Sequence, residues 1–414
     1  MLNTEQKPIL PIKLLLLTLC FTSFLVLPSI QGTTPAYLLV FSMLFVCLFV
    51  NKQKSLFFYK DLVKFSFTFL FLLLISQLAL SFSNQVSFHT GLASFLDPYD
   101  SSLLFRMTTF TQSLYLFVVF IFFYFIKHFY QKGWDKYFLA GAATLCIYGM
   151  YEFIYFLLTH TSGDFISNRT FDGDFSGSLF QTYVVGSFIM QRIKSLTGEP
   201  SMFALTIIPF FYYAYFTRRK KLTLLFGLTA LLSFSSTAYL GMAVLVISKT
   251  IRFYKNLLFL YLSSFSLLIS CVIFGFEKVF QLFYDSVLKK ILTDTESTIS
   301  RMGSFDKNMN FFMDLPLINK LFGIGFGSIR SSDFLTTSLV NIGVVGFIIF
   351  SCLVLYPVFK LKSINNEIKS IKLSLVFIYL AMLIAVPEFA YLAPWLFLGM
   401  AYYYLEEQKL LFLL

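Results

Sequence analysis

Charge is scarce in this chain. Asp, Glu, Lys and Arg make up 13% of its 414 residues, about half the roughly 25% of a soluble domain, which excludes an ordinary water-soluble globule. Histidine occurs three times, as His89, His128 and His160, with no ligand spacing between them, so no zinc motif exists. The five cysteines, Cys20, Cys47, Cys146, Cys271 and Cys352, stand singly inside apolar runs. They read as small hydrophobic residues, neither a disulfide framework nor a metal site. Acids are outnumbered by bases, 21 to 32, for a formal charge of +11. The bases fall between hydrophobic runs, where topology determinants sit, which argues against a nucleic-acid partner.

What fills the chain instead is apolar. Hydrophobic residues are 57% of it and the mean hydropathy is +0.77. A hydrocarbon slab roughly 30 Å thick needs about 20 apolar residues per helix, and backbone groups inside it must be satisfied within the segment or a closed barrel. The runs are unbroken rather than alternating, so helices win over a barrel. The expected fold is all-α, a polytopic transmembrane bundle in one integral membrane domain over 1–414. About twelve spans are predicted, at 10–30, 36–50, 62–82, 109–127, 137–159, 202–216, 222–236, 238–249, 257–276, 335–359, 373–389 and 391–405. The first run follows Lys7 and Lys13 but lacks a small-residue cleavage site, so it reads as a retained helix.

Basic residues set the orientation. A cytoplasmic N-terminus places 21 of the 32 Lys and Arg residues on the cytoplasmic side, the positive-inside pattern, with the C-terminus also cytoplasmic. The same rule splits 222–249 into a hairpin at Ser235-Ser236-Thr237, since one crossing would strand either Arg218–Lys221 or Lys249–Lys255. Three substantial loops then face outward, about 83–108, 160–201 and 277–334. Ordered loops this long are usually functional. In the last, Lys278–Leu292 has apolar residues at helical spacing, predicting an amphipathic helix against the membrane. The stretch Ser178–Met190 is apolar enough to lie in the interface and is not counted as a span.

Two constellations stand at the outer face. The first is Arg192-Ile-Lys194-Ser-Leu-Thr-Gly198-Glu199-Pro200-Ser201-Met-Phe-Ala204. Pro200 suits the first turn of a helix and Glu199 its positive end. An ordinary helix start fits Glu199 nearly as well as a functional site does. A charged pair at a membrane rim is costly and is not demanded by local folding. The second runs from Arg301 through Pro316, Gly323-Ile-Gly325-Phe-Gly327-Ser328 and Arg330-Ser-Ser-Asp333 to Asn341-Ile-Gly343-Val-Val-Gly346. The triple glycine has the wrong spacing and context for a nucleotide loop. It reads as a tight turn where backbone passes close to backbone, and Gly343 with Gly346 as a close helix packing surface.

In their order these motifs resemble the O-antigen polymerase family, Wzy-type, within the O-antigen ligase and polymerase superfamily. The motifs are Arg-x5-Gly-Glu-Pro-Ser-x2-Ala, the Ser-Ser-Thr-Ala hairpin, an outer-loop Arg, Pro-x6-Gly-Ile-Gly-Phe-Gly, and Asn-x-Gly-x2-Gly entering a helix. They cover roughly 190–350. The resemblance implies a glycosyltransferase that moves a growing glycan from undecaprenyl diphosphate onto a lipid-linked repeat unit. It implies action at the outer face of the cytoplasmic (inner) membrane, with no cofactor or essential metal, among membrane lipid, and with a separate chain-length regulator protein as partner. A departing diphosphate needs cations, and Arg donates bidentately to phosphate oxygens. Arg192, Arg301 and Arg330 are therefore the expected diphosphate-binding residues. The acceptor hydroxyl needs a base, with Glu199 and Asp333 first and Glu152, in the outer half of the fifth span, third. Ligases of the superfamily typically carry a histidine before the Gly-x2-Gly helix; residues 277–346 contain none, which weakens a ligase reading. A flippase for the same lipid-linked sugar is the other alternative, against which stand the absence of internal repeats and the clustering of charge at one face.

Overall fold

A computed structural model describes residues 9–28, 30–83, 91–97, 99–100, 104–171, 174–175, 181–185, 188–250 and 296–413. The fold is mostly helical. The helices in chain order are α1 (Leu10–Thr18), α2 (Pro35–Val50), α3 (Lys52–Phe82), α4 (Met107–Phe129), α5 (Asp135–Thr159), α6 (Pro200–Phe216), α7 (Lys220–Leu232) and α8 (Ser236–Thr250). After the undescribed stretch come α9 (Glu296–Asp314), α10 (Leu317–Phe322), α11 (Phe334–Lys360), α12 (Asn366–Ile384) and α13 (Leu392–Leu413). Among the described residues, four helices are long and apolar enough to cross a membrane: α3, α4, α5 with the turn before it (Lys132–Thr159), and α11. The apolar helices α2 and α6 are shorter, and so is Ser236–Lys249 of α8. The predicted span 257–276 and the amphipathic helix Lys278–Leu292 lie outside the described residues.

Polar contacts sort the helix ends into two groups. At one end, Lys127 of α4 reaches Asp61 of α3 at 2.5 Å and Glu406 of α13 at 3.0 Å. Arg219, before α7, pairs with Asp135 at the start of α5. The hydroxyls of Tyr130 and Tyr213 donate to Glu367 of α12 at 2.9 and 3.0 Å. The candidate residues gather at the other end. Between the two ends, aromatic and aliphatic side chains such as Phe122, Phe203, Tyr212, Phe377 and Phe397 are buried. In a lipid solvent such contacts stabilise by packing rather than by transfer from water.

Three expectations change. The first helix ends at Thr18 rather than continuing to 30, because the backbone beyond it has tertiary partners. The N–H groups of Thr22 and Ser23 both donate to the Leu196 carbonyl, at 3.0 and 3.1 Å, and the Ser23 carbonyl accepts from Asn168 and Arg169. The interfacial stretch before residue 191 holds an antiparallel ribbon, β3 (Thr182–Val185) with β4 (Phe188–Gln191), in the register Thr182↔Gln191. It follows a smaller pair, β1 (Thr170–Phe171) with β2 (Asp174–Phe175).

The third change is in α11, which is not one continuous helix. It breaks at Gly343, with φ 67° and ψ −177°, a backbone conformation open essentially to glycine alone. A break at this depth frees carbonyls that need donors. The glycine turn supplies them: Ile324 N–H donates to the Val340 carbonyl at 2.9 Å and Gly325 N–H to the Asn341 carbonyl at 3.2 Å. The Asn341 side chain completes the seam, accepting from Ile329 N–H and donating to its carbonyl, both at 2.9 Å. Gly343 therefore serves backbone-to-backbone docking rather than helix–helix packing. The reading of 323–327 as a tight turn agrees with this geometry.

Candidate functional site

Segments 19–34, 91–97, 160–171, 188–199, 323–333 and 385–391 converge at the end opposite Lys127. The six candidate residues divide between two groups there, and loop 385–391 connects them.

Arg192, Glu199 and Glu152 form the first group. Arg192 leaves β4 and turns toward the tip between α7 and α8. Its Nε donates to the Ser233 carbonyl at 3.2 Å, and Nη1 donates to Gln181 Oε1. Glu199 is the residue before α6, extended at φ −141° with Pro200 opening the helix. It is half-buried, and its carboxylate accepts from Ser201 Oγ at 3.2 Å. Glu152 is wholly buried inside α5. One of its oxygens accepts from the Ser195 N–H at 3.0 Å, and the other has no hydrogen-bond partner among the described residues. Gly149, nearly one turn earlier, permits this approach: a Cβ there would lie 2.6 Å from Ile193 Cγ2.

An ion pair that the sequence did not single out underlies this group. Lys194 and Asp164 are paired, both side chains at 0% exposure. The N–H of Ser167 and the hydroxyl of Tyr148 also donate to Asp164, at 3.0 and 3.3 Å. Burial pushes the Asp164 carboxyl up, but the charge and hydrogen bond of Lys194 and the Ser167 donor outweigh it and hold it below the ordinary range. The sign follows. A depressed carboxyl contributes stability that is whole above its unfolded value, about 3.9, and is lost as pH falls through the lower folded value. Thermal stability should therefore lose an increment only below about pH 4. In melts run from pH 7 down to pH 3, the Asp164→Asn protein should lack that increment.

Arg301, Arg330 and Asp333 form the second group. Arg301 sits in the first turns of α9, half-buried, and its carbonyl accepts from Ser332 Oγ at 3.3 Å. Arg330 donates to Glu388. Its backbone N–H meets the Ser94 carbonyl at 2.9 Å, beside the bridge between Phe95 and Ile329. Asp333 is committed to local folding: it caps α11, accepting from Thr336 N–H at 2.7 Å, from Thr336 Oγ1 at 2.8 Å and from Ser331 Oγ at 2.8 Å. Burial pushes its carboxyl above the ordinary value despite these donors. A carboxylate so engaged is a helix cap and a poor general base.

Loop 385–391 links the groups. Glu388, 8% exposed, carries Arg330. Tyr391 donates to Met202 Sδ at 2.9 Å, one turn below Glu199. Trp395 Nε1 fixes the loop through the Phe389 carbonyl at 2.7 Å. Glu388 was legible as a lone acid between two apolar runs, the usual signal of a functional or paired charge. The pairing of Lys194 with Asp164, thirty positions apart, has no such signal.

Beside this loop opens a cavity of about 350 Å³ between α3, α4 and α11. Its wall is apolar and largely aromatic, including Phe65, Phe69, Phe120, Phe326, Phe389 and Trp395. Lys64 and Ser76 of α3 both line it; twelve residues of helix put them about 18 Å apart along the axis. Its Ser76 and Asn341 end lies by the glycine turn, where Ser76 Oγ meets the Gly323 carbonyl at 3.2 Å.

No family model, curated protein or solved structure matches the chain.

Proposed function

We propose that the chain is a polysaccharide repeat-unit polymerase, a glycosyltransferase acting on undecaprenyl-diphosphate-linked oligosaccharide at the outer face of the inner membrane. The observation that carries the reading is an aromatic-lined groove within the helices, with arginines at one end of them in two groups linked by loop 385–391. A lipid diphosphate is amphipathic in that way: its isoprenoid tail suits the groove and its diphosphate suits Arg192, Arg301 and Arg330. The remainder of the topology, about twelve crossings with both termini cytoplasmic, belongs to the same reading, as does a separate chain-length regulator as partner.

In the reaction, the acceptor hydroxyl attacks the anomeric carbon of the first donor sugar. The carbon–oxygen bond to the diphosphate breaks, and the lipid diphosphate leaves with the electron pair. Arginines preorganised toward that developing charge lower the barrier by about 3–4 kcal/mol per group. The proton of the hydroxyl passes to a carboxylate. Among the three candidates, Glu199 is the one suited to this. Glu152 is sealed inside α5, and Asp333 is occupied as a helix cap.

The broken helix α11 favours a second reading, a flippase for the same lipid-linked sugar, since interrupted helices are common in transporters. In those, the break lines a site near the midplane. Here the freed carbonyls of Val340 and Asn341 are taken by the glycine turn, which favours the enzyme. The test is made in a native host that displays the polymer. Arg192→Ala and Arg301→Ala should each collapse the long-chain ladder on a gel to a single repeat unit at normal protein level. Unchanged ladders would remove these residues from the site, and loss of the single-repeat product too would favour a flippase.

A further inference from the structure

The tip of the α7–α8 turn holds buried polar groups that have no partner among the described residues. Ser235 precedes the 15-residue α8, and its carbonyl accepts from the N–H groups of Ala238 and Tyr239 at 2.9 and 3.1 Å. A serine in this position ordinarily turns its hydroxyl onto an N–H of the first turn. Ser235 does not: its Oγ, and Oγ1 of Thr237, are buried with no hydrogen-bond partner among the described residues, and each residue is 1% exposed. Ser233 and Thr229, just before them, do satisfy theirs, on the carbonyls of Ala230 at 2.6 Å and Leu225 at 2.9 Å. Leaving two hydroxyls sealed and unpaired is unfavourable, and the described residues provide no partner for them, which points to a bound group.

The surroundings specify the chemistry of that partner. The first turn of α8 presents backbone N–H groups and the positive end of the helix dipole. Arg192 is anchored on the same turn through the Ser233 carbonyl. Hydroxyl donors, a helix N-terminus and a guanidinium around one turn make a site for an oxyanion with several acceptor oxygens. We propose that the N-terminus of α8, with Ser235, Thr237 and Arg192, binds a phosphoryl oxyanion. The identity of that group as the diphosphate of the lipid carrier rests on the polymerase reading; the binding of a phosphoryl group does not. The site gives the Ser-Ser-Thr break a role beyond turning the chain, that of donating to the leaving group alongside Arg192.

The probe is inorganic pyrophosphate, titrated calorimetrically into the purified full chain in detergent. Wild type should bind it. Ser235→Ala and Thr237→Val should each weaken binding about tenfold, the loss expected for one hydrogen bond to a charged partner. Thr237→Ser, which keeps the hydroxyl, should bind as wild type, and so should Thr144→Val, an exposed hydroxyl on α5. Absence of binding by wild type would overturn the proposal. So would pyrophosphate affinity unchanged in both Ser235→Ala and Thr237→Val, the result expected if the hydroxyls hold only ordered water. Polymer formation from lipid-linked repeats, assayed on the same preparations, separates the two claims. Polymer formed while pyrophosphate binding ignores the hydroxyls defeats this site alone. No polymer while the hydroxyl variants still lose pyrophosphate defeats the polymerase reading and leaves the site standing.

Discussion

Lys194→Ala is expected to destabilise the folded protein by about 3–5 kcal/mol, the cost of leaving one member of a buried ion pair unpaired. Both side chains of the Lys194–Asp164 pair are at 0% exposure, so water cannot replace the missing ammonium. The partly exposed pair Arg219–Asp135, with side chains at 36% and 20%, makes the contrast. Arg219→Ala should cost about 1 kcal/mol or less. The consequence reaches the candidate site because Lys194 lies two residues from Arg192 and five from Glu199, and Ser195 is the residue that holds Glu152. Replacing both partners by apolar residues, Lys194→Met with Asp164→Leu, should recover much of the stability. Melting in detergent measures all three proteins. A Lys194→Ala protein as stable as wild type would mean the pair is not sealed as described.

A second large loss is expected from Gly343→Ala. The conformation at φ 67° and ψ −177° costs a residue with a Cβ about 1–3 kcal/mol. Beyond that, the new Cβ would stand 2.3 Å from the Leu321 carbonyl oxygen and 2.6 Å from Gly323 N, so backbone must shift. Gly323 is its counterpart, with a Cβ position 2.3 Å from the Asn341 carbonyl oxygen. Either alanine should unseat the glycine turn from the break in α11 and lower the yield of folded protein. Gly303, in α9, has nothing within 4 Å of its Cβ position. Gly303→Ala should be neutral or stabilise by roughly 0.5–1 kcal/mol.

How far the sequence reveals this arrangement depends on the range of the interaction. Local signals served well. Unbroken apolar runs place α3, α4, α5 and α11. Pro200 starts α6 where a proline is best tolerated. The rule that basic clusters share a side predicts a break at Ser235-Ser236-Thr237, and the chain turns at Ser233–Ser235, between α7 and α8. Long-range hydrogen bonding is what the chain does not announce. The first helix stops at Thr18 because Thr22 and Ser23 find partners at Leu196, far along the chain. The kink at Gly343 depends on donors from Ile324 and Gly325. In the candidate site, Arg192 and Glu199 were legible because charge beside an apolar helix is costly. Asp333, expected as a base for the acceptor hydroxyl, has another sufficient reason to be an aspartate, since it caps α11. Glu388 carried the signal and was passed over, whereas Asp164 needs the fold to reveal its partner.

In the proposed reaction, guanidinium groups at one end of the helices stabilise a departing lipid diphosphate. Reconstituting the purified chain with a single lipid-diphosphate-linked repeat unit, and following the lipid-linked glycan by mass, tests it most directly. Products lengthened by whole repeats are expected, with release of free lipid diphosphate, both lost in Arg192→Ala protein that remains folded. Substrate recovered at one repeat unit with wild-type protein, or polymer formed equally well by Arg192→Ala, would contradict it.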